Sequence, residues 1–91
     1  MISTHLDERL VVAHFFLPST GANWYLVEYD PADTIGFAFA DLGSAPDAEW
    51  GYVSLTGLET LRHHGMVVER DLSWIPQPVR QALPSAAWDA A

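Results

Sequence analysis

The chain has 91 residues, enough for one domain with a modest core, and 49% of them are hydrophobic. It has no cysteine, which excludes disulfides, thiolate metal sites and thiol chemistry. Twelve acidic residues stand against four arginines and no lysine, for a net charge of −8; such a chain is repelled by DNA and RNA, whose binding rests on clustered Lys and Arg.

Its N-terminal residues are polar and are expected to be loose. They carry acids and His ahead of their apolar part, unlike a basic-then-apolar signal peptide. No apolar run approaches the roughly 20 residues of a membrane helix, so a cytoplasmic protein is expected. Residues 10–17, L-V-V-A-H-F-F-L, are apolar on both faces and predict a first strand inside a sheet. His14 on that strand reads as a packed, hydrogen-bonded residue. Pro18 ends the strand.

Residues 23–41 then predict a β-hairpin. Strand formers flank Asp30-Pro31-Ala32-Asp33, where Asp bonds the backbone ahead of it and Pro presets φ for a turn. Strict alternation puts Trp24, Leu26, Glu28 and Asp30 on one face and Asn23, Tyr25, Val27 and Tyr29 on the other. In the second strand Ile35, Phe37 and Phe39 share a face, and Gly36, Ala38 and Ala40 leave the opposite face flat enough for a helix. A Gly/Pro/Asp loop leads to a fourth strand, Glu49-Trp50-Gly51-Tyr52-Val53.

Ser54 or Thr56 is placed to cap a following helix over 55–63, with Thr56-Gly57-Leu58-Glu59 fitting a capping box. Leu55, Leu58 and Leu61 recur at helical spacing, and Gly65 is placed to end the helix in a left-handed conformation. Residues 66–74 predict a fifth strand or an extended segment along the sheet edge, and Pro76 and Pro78 argue against sheet pairing beyond it. A short helical stretch is expected over 77–83, ended by Pro84, with 85–91 frayed and Trp88 available to dock on the core. The expectation is a single α+β domain over 1–91, loose at 1–9 and 85–91. A small antiparallel sheet, a meander with a central hairpin, is packed by one main helix.

Four ordered stretches resemble a known family: Trp24-Tyr25-Leu26-Val27-Glu28-Tyr29, Asp41-Leu42-Gly43, Gly51-Tyr52-Val53-Ser54-Leu55 and Val68-Glu69-Arg70-Asp71-Leu72. It is a family of small bacterial proteins of unknown function, a domain often encoded on plasmids and other mobile elements. The resemblance spans His14 to Trp74, departing from the family pattern at Gly57 and at Ser73-Trp74. It implies a compact α+β domain of mobile-element origin and brings no catalytic residues with it.

Carboxylates are the obvious raw material for chemistry. Glu28, Asp30, Asp41 and Glu49 lie at strand ends, where convergence would suit Mg²⁺ or Ca²⁺ and a metal-dependent hydrolase or nuclease. No lysine or glycine-rich phosphate loop accompanies them, so solvated edge carboxylates are the preferred reading. His63 and His64 are neighbours without the spacing of a zinc site. The residues thus name no catalytic group, no metal ligand and no cofactor. Arg70, between Glu69 and Asp71, is expected to form a structural salt bridge with a carboxylate such as Glu28 or Asp41.

Three functions remain. The first is a non-catalytic binding protein engaging a basic surface of a nucleic-acid-handling complex, as a mobile-element inhibitor of host defence of the anti-CRISPR or anti-restriction type. Its expected contact residues are Glu49, Trp50, Tyr52, Glu69, Asp71 and Trp74: acids for steering, aromatics for anchoring. The second is the metal-dependent hydrolase. The third is a structural or regulatory subunit forming a homodimer through an open strand edge. Charge and the missing lysine favour the first over the second.

Overall fold

The computed structural model describes residues 8–18, 20–43 and 48–88. Its centre is an antiparallel five-stranded sheet, in the order β5-β4-β3-β2-β8. These strands are β2 (Ala13–Leu17), β3 (Ala22–Asp30), β4 (Ile35–Asp41), β5 (Glu49–Ser54) and β8 (Glu69–Arg70). The meander β2-β3-β4-β5 follows chain order, and β8 returns to pair with β2. The α+β architecture is the expected one.

The β3–β4 turn follows its local chemistry. The Asp30 carboxylate accepts a hydrogen bond from the Ala32 N–H at 2.9 Å, so the turn closes on its own side chain. Within β3, however, strict alternation fails. Leu26 pairs with Ala38, and the next β3 residue to pair, Glu28, meets Phe37; Val27 is the extra residue of a β-bulge. Glu28 and Asp30 are thereby moved onto the face of Tyr25, Phe37 and Phe39, away from Trp24 and Leu26.

That first face is sealed by the C-terminal segment: β9 (Gln77–Pro78), α2 (Val79–Ala82) and a 3₁₀ turn, Ser85–Ala87. Val11, Val27, Phe39, Val79, Leu83 and Ala87 are buried there. Fully burying a Val contributes about 1.5–3 kcal/mol, so the closed pair Val11 and Val79 is a principal tie. Two indoles fasten the layer. Trp74 Nε1 donates to the Val11 carbonyl at 2.8 Å and Trp50 Nε1 to the Ala87 carbonyl at 2.6 Å.

Several expectations change here. The run 10–17 is split at Val12: β1 (Leu10–Val11) leaves the main sheet to pair with β9, while β2 stays. Pro78 does pair, opposite Leu10, at the end of a ladder two residues long where its missing N–H costs little. Residues 85–87 form an ordered turn, and Trp88 docks on the core with its indole donating to the Leu83 carbonyl. Arg9, expected to be loose, accepts the Val79 N–H at its carbonyl, 2.8 Å away. Residues 1–7 and 89–91 lie outside the described residues.

The second face carries Trp24, Leu26, Ala38 and Ala40, covered by α1 (Leu55–Thr60) and a hairpin of β6 (Arg62–His63) and β7 (Met66–Val67). A Cβ at Gly36 would collide with Leu26 Cδ1, so Leu26 itself fills part of the flat surface. The Ser54 hydroxyl caps α1 by accepting from the Gly57 N–H, and the Thr56 hydroxyl lies 3.0 Å from it; no Thr56–Glu59 capping box forms. The helix stops at Thr60, short of the expected 63. Arg62 Nη1 donates to the carbonyls of Glu59 and Leu61, satisfying the helix end. His64 and Gly65, at φ 51° and 79°, then make a tight two-residue hairpin turn, so Gly65 serves that turn and not a helix cap.

Candidate functional site

The bulge at Val27 assembles the most developed polar site. An aromatic ladder runs along the first face from the core outward. Phe37 stacks on Trp50 with ring centroids 5.5 Å apart and meets Tyr52 in a T-shaped contact with centroids 5.0 Å apart. Trp50 forms the interior end, bound to the Ala87 carbonyl. Tyr52 forms the outer end, with 67% of its surface exposed.

Glu28, Asp30 and Asp33 border a cavity of about 620 Å³ beside that outer ring. The Arg9 guanidinium enters it and meets the Glu28 carboxylate at 2.9 Å. Arg9 neutralises Glu28, which leaves the Asp30 and Asp33 carboxylates and the neighbouring aromatic ring as the groups suited to a cationic side chain. Glu28 and Asp30 stand at one end of β3 and β4, while Asp41 pairs with Asn23 at the other, next to the Ala40–Glu49 pair. The four carboxylates considered for a metal site are therefore divided between two ends of the sheet. No three His, Asp or Glu side chains among the described residues gather as a metal-ligand set.

A second polar cluster lies toward the opposite edge of the same face. His14 Nε2 donates to Asn23 Oδ1 at 2.7 Å, and Nδ1 is 3.2 Å from Asp71 Oδ2. Asn23 Nδ2 donates to the Gly21 carbonyl, which turns the amide oxygen toward the ring. The imidazole stacks on Tyr25 at 4.8 Å and touches Trp74 at 5.3 Å. Both ring nitrogens are taken, which leaves none for a nucleophile or a metal. The cluster is a clasp that ties the segment after β8 to β2, and the Asp71 N–H bond to the His14 carbonyl reinforces it.

The His14 hydrogen bond holds the Asp71 carboxyl below its ordinary value. Burial, and then the charge of Asp41, push the Tyr25 hydroxyl above its ordinary value. The clasp expected of Arg70 is thus made by His14 and Asp71. Among the described residues, basic and acidic side chains meet at Arg9–Glu28 and His14–Asp71, and the exposed Arg70 enters neither contact.

The six expected contact residues do not form one patch. Glu49, Trp50 and Tyr52 belong to β5; Glu69, Asp71 and Trp74 belong to β8 and the segment after it, at the opposite edge of the sheet. Both indole N–H groups are spent on the fold, so Trp50 and Trp74 are structural, and Tyr52 alone of the three aromatics is well exposed. Sequence reasoning did not place Arg9 and Asp33 in a site. Asp33, in the Asp-rich turn, was the available signal; Arg9 depends on a contact across nineteen positions that no local pattern encodes.

The model of the family described as "Protein of unknown function (DUF2958)" matches residues 3–86. The chain belongs to this family. No curated protein and no solved structure matches it. The match extends beyond the resemblance at both ends, taking in β1, β9 and α2, which seal the first face, and Arg9 at the cavity.

Proposed function

We propose that this DUF2958 chain is a non-catalytic binding protein that engages a basic surface of a partner protein through the Tyr52 cavity. The observation that carries the reading is Arg9. Its guanidinium bonds Glu28 at 2.9 Å beside the cavity, an intramolecular precedent for a cation at this site that supports the reading. Asp30 and Asp33 remain for further cations, and the exposed Tyr52 ring supplies the apolar, π-bearing surface that turns steering into affinity. The net charge of −8 raises the encounter rate with a basic partner and disfavours polyanions.

Basic surfaces of this kind are characteristic of proteins that handle nucleic acid. Occupying one would block it, which is the action of a mobile-element inhibitor of host defence. A homodimer paired along β5 is a second reading: that strand ends the sheet and pairs only with β4 among the described residues. Like charges of −8 on the two copies oppose it.

Titration of an oligoarginine peptide, followed by anisotropy at several salt concentrations, tests the reading. Binding should weaken as salt rises. Tyr52→Ala and the pair Asp30→Asn/Asp33→Asn should each weaken it, with thermal melts little changed, since Asn at 30 keeps the acceptor oxygen that closes the turn and the Tyr52 ring is mostly exposed. Salt-independent binding, equal affinity in all variants, or tighter binding of duplex DNA than of the peptide would overturn it.

A further inference from the structure

The second face of the sheet carries a different kind of site. Helix α1 has six residues and none of them is buried, so it roofs β2 and β3 incompletely. Beneath it a cavity of about 350 Å³ remains, with Phe15, Leu55, Leu58 and Val68 as its half-buried apolar walls. That volume suits a small molecule. Two charged side chains line it as well, Arg70 and Glu59.

Arg70 is set there by the ladder, since it pairs with Phe15 across β8 and β2. Arg70 and Arg80 share the lack of a charged or hydrogen-bonded partner among the described residues, and of the two it is Arg70 that lines this cavity. Arg9 bonds Glu28, and Arg62 serves the end of α1. Among the described residues Arg70 makes neither an ion pair nor a side-chain hydrogen bond, although acids outnumber arginines twelve to four. An exposed guanidinium at an apolar cavity offers a fork of N–H donors to a carboxylate from outside the chain.

We propose that this cavity binds a small monocarboxylate with an apolar body. The hydrocarbon or aromatic part lies against Phe15, Leu55, Leu58 and Val68, and the carboxylate pairs with Arg70. Glu59 selects against a second negative group, so a dicarboxylate of the same length is rejected. This site lies on the other face from the Tyr52 cavity and is independent of the basic-partner reading.

The test uses octanoate as the probe, with octanol as the same body without charge and octanedioate as the dicarboxylate. Binding is read from the methyl resonances of Leu55, Leu58 and Val68 and from calorimetry. Octanoate should give saturable shifts at those methyls and bind about tenfold or more tightly than octanol, as a charge-assisted pair requires. Octanedioate should bind more weakly than octanoate. Arg70→Gln, at an exposed position and with an unchanged melt, should bring octanoate down to the octanol level. Leu58→Trp should fill the space and remove binding of both. Equal affinity for octanoate and octanol, an Arg70→Gln variant that keeps the preference, or no saturable shift at millimolar octanoate would overturn the proposal.

Discussion

The two faces of the sheet are closed by different means. On the first, residues distant in sequence are drawn in by specific donors: the Trp74 indole reaches a carbonyl 63 positions away and the Trp50 indole one 37 positions away. Six buried apolar residues and their aromatic neighbours complete that layer. On the second, α1 starts directly after β5, has no buried residue, and leaves space above Phe15. Each face buries six apolar residues; the first keeps its cavity at the Tyr52 end, and the second keeps one beneath the local helix. The two layers thus differ in how they are tied, by long-range donors on one side and by chain adjacency on the other, and both leave room for a ligand.

Truncating one member of each layer probes this division most directly. Trp50→Ala removes the ladder's inner ring and the bond to Ala87, and should cost about 3–5 kcal/mol, the usual range for losing a large aromatic from a core. Leu58→Ala on the half-buried side should cost roughly 1–2 kcal/mol, below the full range for a buried Leu. Urea midpoints of the two variants at matched slopes provide the comparison. Equal losses would show that α1 bears as much of the fold as the C-terminal layer does.

A smaller effect isolates the His14–Asp71 clasp, which holds the first face at its far edge. The His14 hydrogen bond lowers the Asp71 carboxyl, so its ionised form is favoured in the fold. Such a group adds stability that is present above the unfolded carboxyl value of 3.8 and is lost as pH falls through the lower folded value. Asp71→Asn should therefore be less stable than the parent near neutral pH, and the gap should narrow as pH falls below 3.8. Denaturation midpoints across the acid range measure this. A gap that stays constant with pH would assign the loss to packing alone. The Tyr25 hydroxyl, raised by burial and then by Asp41, acts in the alkaline direction: its contribution is present below the unfolded phenol value of 10.0 and fades above it.

What could be read in the sequence divides along the same line. The hairpin was legible because its signals are local: Asp30 closes its own turn, and the alternation of Phe37 and Phe39 holds. The bulge at Val27 was not, because it answers to the need to bury Val27 with Val11 and Val79, partners far away in the chain. The leucine spacing of 55, 58 and 61 suggested a longer helix. Arg62 and the left-handed pair His64-Gly65 end it, and His-Gly between short apolar runs was a hairpin signal that the leucine pattern obscured. Trp50 and Trp74 were read as anchors for a partner because nothing in the sequence reveals which carbonyls their indoles meet. Tyr52 is the one of the three that is well exposed, because its ring ends the ladder in solvent.

The smallest expected effect sits where the two faces join. Thr34 has φ of 54°, a left-handed conformation that its branched Cβ disfavours, and its carbonyl accepts the Leu55 N–H at 2.8 Å. The strained residue is thus the fixed point from which α1 begins to cross the second face. A left-handed non-glycine residue costs about 1–2 kcal/mol, and glycine returns about 0.5–1 kcal/mol of that through its freer unfolded chain. Thr34→Gly should accordingly gain about 0.5 kcal/mol, since the bond that anchors α1 uses only the backbone. For a domain of this size that is a rise of about 2–4 °C in Tm, measurable by calorimetry. A fall in Tm would show that the hydroxyl bond from Thr34 to the Asp33 carbonyl outweighs the strain it accompanies.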